Sequence, residues 1–435
     1  MKSLPGFYRF FYWAITLPVL GALPVLAIDA LLSPDSGSGS GNNGVQILIY
    51  AVTGIIVVSI LIYLLLYGKT WIKNTVLSLV VFLISWLLLE FVCGLVLRWK
   101  EKTPAATVRS NSIKNNTDPA KPNTLSLIRN DQLGFSRPSP GQYEVVYSIT
   151  KHKTMNGKSV SEASTIPVEY HIDNLSRRVT PFDSSRAVGK YALFLGCSFT
   201  YGESVSDTST IPYFFGKHTG YRPYNYGVSG HSPAHMLGIL QTVNLRKQVA
   251  EKNGIAVYTF IEDHLARAIP STKWAYNAQG YLPWVNPATG VVEGSYAQKH
   301  PVRLKLIRLM YRSNIVNLFK INFPKRYSTE QYQRFVNMVK KSKELYSRQF
   351  GNDNFYVVVF PLYPMDPELR RLFEEADLKV LDYSRLLSWA TAYDGMHPDA
   401  EAYELVSQQL AKDLHMRSDK FGNDRSINSA VSAAR

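Results

Sequence analysis

The sequence predicts an α/β fold, a parallel sheet with helices on both faces, preceded by three transmembrane helices and a small β-rich module. Three observations predict it. From residue 187 onward, short apolar runs alternate with amphipathic helical patterns, as strand–helix units of a parallel sheet require. The strongly apolar sequence is concentrated before Lys100 in three stretches, so the 46% hydrophobic content is an average over two unlike parts. Between these parts lies a polar stretch and then a run of alternating β-branched and aromatic residues.

The three apolar stretches cover residues 7–32, 45–67 and 75–97, each near the ~20 residues a bilayer crossing needs. A Ser/Gly/Asn loop without Lys or Arg separates the first two, whereas Lys69 and Lys73 lie between the second and third. Lys2 and Arg9 flank the first. The positive-inside rule then puts the N-terminus and the Lys69/Lys73 loop in the cytoplasm and everything after residue 97 outside it. Arg98, Lys100 and Lys102 run against that rule. A cleaved signal peptide at residues 7–32 would leave the topology of the rest unchanged. Glu90 falls inside the third stretch, where a carboxyl is costly, and reads as a protonated or interface-reaching side chain. The expected organisation is a membrane anchor (1–100), a linker (101–124), a β-rich module (125–186), the α/β domain (187–416) and a disordered tail (417–435).

In the module, Tyr143 to Thr150 alternates, Asn156-Gly157 supplies a turn, and Ile166 to Ile172 returns as the second arm of a hairpin. In the α/β domain, strands are expected at 191–195, 224–226, 255–261, 355–360 and 380–383. A helix is expected at 233–250. Ser328-Thr-Glu-Gln331 opens another with a capping-box pattern, and Pro398 starts the last. Residues 271–324, rich in Trp, Tyr, Pro and Gly, read as a lid or substrate-facing insertion.

The charge of +15 raises nucleic acid as a partner. No Lys/Arg block of five or more and no zinc-finger or RNA-binding pattern accompanies it, so the excess reads instead as a surface for anionic lipid or glycan. The two cysteines, Cys93 in an apolar stretch and Cys197 beside a serine, do not make a disulfide framework.

Two short motifs carry chemistry. Leu195-Gly-Cys-Ser198-Phe-Thr-Tyr-Gly202 follows an apolar strand and opens a helix, which places Ser198 at the carboxyl edge of the sheet, where ligands of such sheets bind. Asp394-Gly-Met-His397 precedes the last helix. In a tight turn this spacing sets a carboxylate on imidazole Nδ1 and leaves Nε2 outward, the orienter and base that a serine nucleophile needs. His231, His235, Asp263, His264 and His397 are candidate metal ligands by residue type. His231 lies before the helix start at Pro233 and is not expected to share a face with His235, so neither a metal nor a cofactor is expected.

The ordered blocks resemble the SGNH/GDSL hydrolase superfamily, over roughly residues 187–414, in its Gly-Cys-Ser-Phe-Thr variant form. The resemblance implies Ser198 as nucleophile, Asp394 and His397 as its partners, and an oxyanion hole from the Ser198 and Gly230 backbone N–H groups. In the third block the family has Gly-x-Asn-Asp, and this chain has Ile261-Glu-Asp263-His264. Asp263 aligns with the donor position, so either it is protonated or His264 or Arg267 supplies the donor, with His264 favoured and Arg267 also a candidate substrate contact. The resemblance implies a serine esterase acting on carbohydrate O-acyl esters, anchored in a bacterial inner membrane with its catalytic domain periplasmic. A polysaccharide O-acyltransferase using the same residues is the first alternative. A non-catalytic glycan-binding or envelope-scaffold domain is the second. The expected partners are the bilayer and an acylated glycan or other ester, with an envelope-complex partner left open and no nucleic acid.

Overall fold

The computed structural model describes residues 69–102, 109–115, 127–130, 133, 135–155, 158–361, 363–386, 392 and 394–418. The chain divides into two compact units, Met1–Leu95 and Val96–Arg435. The expected crossings at 7–32 and 45–67 and the tail beyond residue 418 lie outside the described residues. The third expected crossing forms helix α1, Thr70–Lys102, the one helix among the described residues long and apolar enough to cross a membrane.

Segment 101–124, expected to be a linker, contains strand β1 (Arg109–Asn115), paired antiparallel with β4 (Gly141–Met155). An added edge strand is held by backbone hydrogen bonds, so the polar sequence Arg-Ser-Asn-Ser-Ile-Lys-Asn gave no apolar alternation to read. β2 (Leu127–Asn130) and β3 (Phe135–Pro138) form a separate two-stranded ladder. β4 and β5 (Lys158–Ile172) make the expected hairpin in continuous register from Gly141↔Ile172 to Met155↔Lys158. At its base Tyr143, Val145, Tyr147, Val168, Tyr170 and Ile172 form one buried cluster with Tyr201 of the α/β domain. Arg178 bridges Ile172 to Asn225 by backbone pairing, which joins the hairpin to the edge of the central sheet.

That sheet is parallel throughout. Its strands are β6 (Lys190–Gly196), β7 (Arg222–Gly227), β8 (Asn253–Phe260), β11 (Phe355–Val359) and β12 (Lys379–Asp382), in the spatial order β12-β11-β8-β6-β7. Alternate residues face opposite layers. Tyr191, Leu193 and Leu195 pack with α4 (Pro233–Thr242), α10 (Thr329–Phe350) and α11 (Pro367–Glu375). Ala192 and Phe194 pack with α3 (Ile211–Thr219) and α12 (Ala400–Ser418). Both faces are covered, which is why these strands read as continuous apolar runs. The chain leaves β6 for β7 on one side and returns to β8 on the other. The carboxyl ends of β6 and β8 therefore flank the point where the strand order reverses, the usual ligand crevice of such sheets.

Ser328 caps α10 through the expected box with Gln331. The helix expected over 233–250 stops at Thr242, with Val243 in extended geometry, and a 3-10 turn covers Leu245–Gln248. Consecutive β-branched Thr242 and Val243 favour that break. Two further short helices, α2 (Ser198–Tyr201) and α5 (Asp263–Ala268), follow β6 and β8. The 271–324 insertion folds as α6 (Thr272–Asn277), hairpin β9–β10 (Pro283–Val285, Val292–Ser295), α7 (Tyr296–Lys299), α8 (Pro301–Met310) and α9 (Asn314–Leu318). It has a small core of its own around Ala275, Leu282, Tyr296, Leu304 and Ile307.

Candidate active site

Ser198 is the first residue of α2, directly beyond β6. Cys197 stays extended and caps the helix, its carbonyl accepting from the Thr200 and Tyr201 N–H groups at 3.0 and 2.8 Å. The turn depends on absent side chains. A Cβ at Gly196 would overlap the Thr200 hydroxyl, and one at Gly227 would sit 2.5 Å from Tyr201 N. Ser198 is nearly buried, at 5% exposure. The Cys197 thiol is fully buried, and burial outweighs the nearby Arg267 guanidinium in pushing its pKa up. It stays a neutral thiol, consistent with a turn-supporting role.

Asp394 and His397 meet as the spacing predicts. Asp394 Oδ1 accepts from the Met396 and His397 N–H groups, both at 2.9 Å, and Oδ2 makes a short contact with His397 Nδ1. Burial alone would raise the carboxyl's pKa, but the His397 ring, its backbone N–H and the Ser204 hydroxyl together hold it well below the usual carboxylate range. With Nδ1 engaged, Nε2 is the free nitrogen. The ring lies against Phe199, the neighbour of Ser198, at 5.3 Å between centroids. Glu203 Oε2 is 3.9 Å from Nε2 and accepts from the Ser229 hydroxyl at 2.6 Å.

Sequence reasoning missed Ser204. Its hydroxyl donates to Asp394 Oδ2 at 2.6 Å, its N–H donates to the Tyr170 hydroxyl at 2.9 Å, and the Tyr147 hydroxyl lies 3.2 Å from its Oγ. Ser204 has φ +67°, unusual for a residue with a side chain. The β-hairpin therefore buttresses the carboxylate that orients His397. A hydrogen bond to a charged group is worth about 1.5–3 kcal/mol. Ser204→Ala is accordingly expected to lower kcat by roughly 10- to 100-fold, with KM little changed, on a small chromogenic ester.

The loop after β7 and the start of α5 meet through Arg267. Its guanidinium donates to the His231 carbonyl at 2.9 Å and to Asp263 Oδ2 at 2.6 and 3.0 Å, and it lies 4.3 Å over the Trp274 ring. Asp263 Oδ1 accepts from Trp274 Nε1 at 2.9 Å. Asp263 is thus an ion-paired acceptor, and Arg267, at 6% exposure, is bound within the protein. His264 is wholly buried, its Nδ1 2.6 Å from the Tyr258 hydroxyl and its Nε2 without a partner. Gly230 takes φ +81° with open space where a Cβ would stand.

His231 lies outside α4 as expected, but its ring stacks on His235 at 4.3 Å, contrary to the expectation that the two would not share a face. The loop folds the first ring back over the helix, which spacing along a helix does not describe. His235 Nδ1 accepts from Ser232 N at 3.1 Å. Among the described residues no group of three or more His, Cys, Asp or Glu is placed to hold a metal ion.

Burial, together with His231 and Arg267, pushes the pKa values of His235 and His264 well below the ordinary histidine value. Below about pH 6.5 the unfolded chain binds protons that the folded chain refuses. Stability therefore falls with acidification, by about 1.4 kcal/mol per pH unit for each histidine. Urea denaturation at descending pH should show this slope, with about half of it lost in His264→Gln.

No family model matches the chain, and no curated protein matches it. Solved structures do. One is a protein described as lipolytic, of the G-D-S-L family, from Desulfitobacterium hafniense, at 12% identity over 52% of this chain and 98% of that one, with TM-score 0.28. Another is an acetyl xylan esterase from the rumen bacterium Butyrivibrio proteoclasticus, at 10% identity over 72% and 97%, with TM-score 0.33. A carbohydrate acetylesterase from Sinorhizobium meliloti matches at 11% identity over 52% and 99%, with TM-score 0.30. The structural neighbours are thus GDSL-type lipolytic proteins and carbohydrate esterases. At these scores the chain's own residues, not the likeness, carry its functional reading.

Proposed function

We propose that the chain is a serine esterase of the SGNH type, anchored in a membrane, that cleaves O-acyl esters of carbohydrates outside the cytoplasm. The observation that carries this reading is the Asp394–His397 pair, held with a free Nε2 against the residue that follows Ser198. Ser198 Oγ attacks the ester carbonyl as His397 Nε2 takes its proton, and the C–O bond breaks as that proton passes to the departing sugar hydroxyl. Water then attacks the acyl-enzyme with His397 again as base, releasing the carboxylic acid and restoring Ser198. The Ser198 and Gly230 N–H groups receive the oxyanion. At the third block the Arg267 guanidinium pairs with the Asp263 carboxylate.

The anchor is α1, with residues 7–32 and 45–67 as the two further crossings. The 271–324 insertion borders the site through Trp274. Exposure of the full chain to a fluorophosphonate, followed by intact-mass analysis, tests the nucleophile. One adduct is expected, absent in Ser198→Ala. A folded chain that takes no adduct would overturn the catalytic reading in favour of a glycan-binding or scaffold domain. Product analysis with an acylated oligosaccharide then separates transfer to water from transfer to a sugar hydroxyl.

A further inference from the structure

The insertion carries a pattern that ester chemistry does not use. Between Gly294 and Thr329 the sequence holds eight Lys/Arg and no Asp or Glu, a formal +8 of the chain's +15. Within this stretch α8 is apolar on two opposite sides. Leu304 and Ile307 face the insertion's own core and are buried. Val302, Leu306 and Leu309, at the i, i+4, i+7 spacing that lines one helix face, are 69%, 61% and 64% exposed. At about 100° per residue, Arg303, Lys305 and Arg308 fall on the shoulders between these faces, and all three are exposed. Phe319, just beyond α9, is 64% exposed as well.

A helix facing only water would carry its charges where Val302, Leu306 and Leu309 stand. An apolar ridge with basic shoulders suits a headgroup layer, the ridge entering the acyl boundary and Lys/Arg meeting lipid phosphates. A glycan offers hydroxyls, which protruding aliphatic side chains cannot bind. A second copy of this surface would bring like charge against like.

We propose that the exposed ridge of α8 is an interfacial docking surface for anionic lipid. The insertion core joins this ridge to α6, which carries Trp274 against Arg267. Docking therefore fixes how the site-side end of the domain faces the lipid surface. The proposal depends neither on α1 crossing the bilayer nor on Ser198 being a nucleophile.

The test places an environment-sensitive fluorophore at Leu306→Cys in the full chain, reconstituted in phosphatidylcholine vesicles with or without phosphatidylglycerol. Cys93 and Cys197 are buried, so the unsubstituted chain serves as the labelling blank. Leu88→Cys on α1 reports anchoring, and Glu374→Cys on α11 reports a water-facing control. The expected result is a blue-shifted Leu306 label quenched by spin-labelled lipid in the anionic vesicles. High salt or Arg303→Glu with Lys305→Glu and Arg308→Glu should abolish the shift while hydrolysis of a soluble ester is retained. A Leu306 label quenched by aqueous iodide like the Glu374 label, while Leu88 stays lipid-quenched, would overturn docking and leave anchoring intact. Equal lipid quenching in neutral and anionic vesicles, insensitive to salt, would overturn the anionic-lipid assignment.

Discussion

Ser198→Ala is expected to lower turnover of a small chromogenic ester by about 10⁶-fold, and Asp394→Asn by about 10⁴-fold, with the double variant no worse than Ser198→Ala alone. In the proposed mechanism the three side chains act as one device. Without the Ser198 hydroxyl there is no proton for His397 to take, so the orienting carboxylate has nothing left to contribute. Asn at 394 keeps the shape of the turn, because its amide oxygen still accepts from the Met396 and His397 N–H groups. It cannot accept from His397 Nδ1 and the Ser204 hydroxyl with an –NH₂ group, so the ring loses the tautomer that frees Nε2. Steady-state kinetics with thermal unfolding of each variant checks this. A folded Ser198→Ala protein that retains activity would remove Ser198 from the mechanism. An Asp394→Asn loss expressed only in KM would remove the carboxylate from its orienting role.

The parts of this molecule legible in the sequence are those whose signal is local. Ser198 sits five residues from the middle of an apolar run, and Asp394 and His397 are separated by one turn, so composition and spacing within a short window reveal both. The strands of the central sheet are legible for the same reason, since burial on both faces leaves unbroken apolar runs such as Phe355–Val359. Ser204 is not legible. Its partner Asp394 lies 190 residues away, and a serine after Gly-Glu looks like any turn residue. Tyr147 and Tyr170 are legible only as strand residues, because periodicity reports which face a side chain takes and not what its polar end meets. The pairing at the third block is equally hard to read. Spacing places Arg267 one helical turn after Asp263 but does not show that the two pair, or that the guanidinium lies over the Trp274 ring. β1 is not legible because edge pairing needs only a backbone.

Asp207→Ala is expected to destabilise the Val96–Arg435 unit by about 3–5 kcal/mol, because it strands a buried cation. Arg178 has no side-chain exposure, and its Nε donates to Asp207 Oδ1 at 2.7 Å. Its other nitrogens donate to the carbonyls of Tyr201 at 2.9 Å, Gly202, and Val205 at 2.6 Å, and the guanidinium stacks over Tyr170 and Tyr201. Asp207 Oδ2 meets His171 Nδ1 at 2.6 Å. One ion pair thus ties the hairpin to the turn that begins at Ser198 and ends at Ser204 and Asp207. Buried pairs can often be exchanged for apolar residues at no cost, but Arg178 also donates to the main-chain carbonyls of Glu169, Tyr201, Gly202 and Val205. Arg178→Met with Asp207→Leu should therefore recover little of the loss, since the Gly202 and Val205 carbonyls lose their side-chain donor and the Tyr201 carbonyl keeps only Asn225 Nδ2 at 3.4 Å. Urea unfolding of the two single variants and the double variant gives the coupling energy. Activity at low temperature adds a second readout. The turn positions Ser204 on Asp394, so folded Asp207→Ala protein should lose kcat as well as stability. A full recovery of stability in the apolar double variant would reduce Arg178 to an exchangeable charge, and unaltered kcat in Asp207→Ala would separate the hairpin anchor from the orientation of His397.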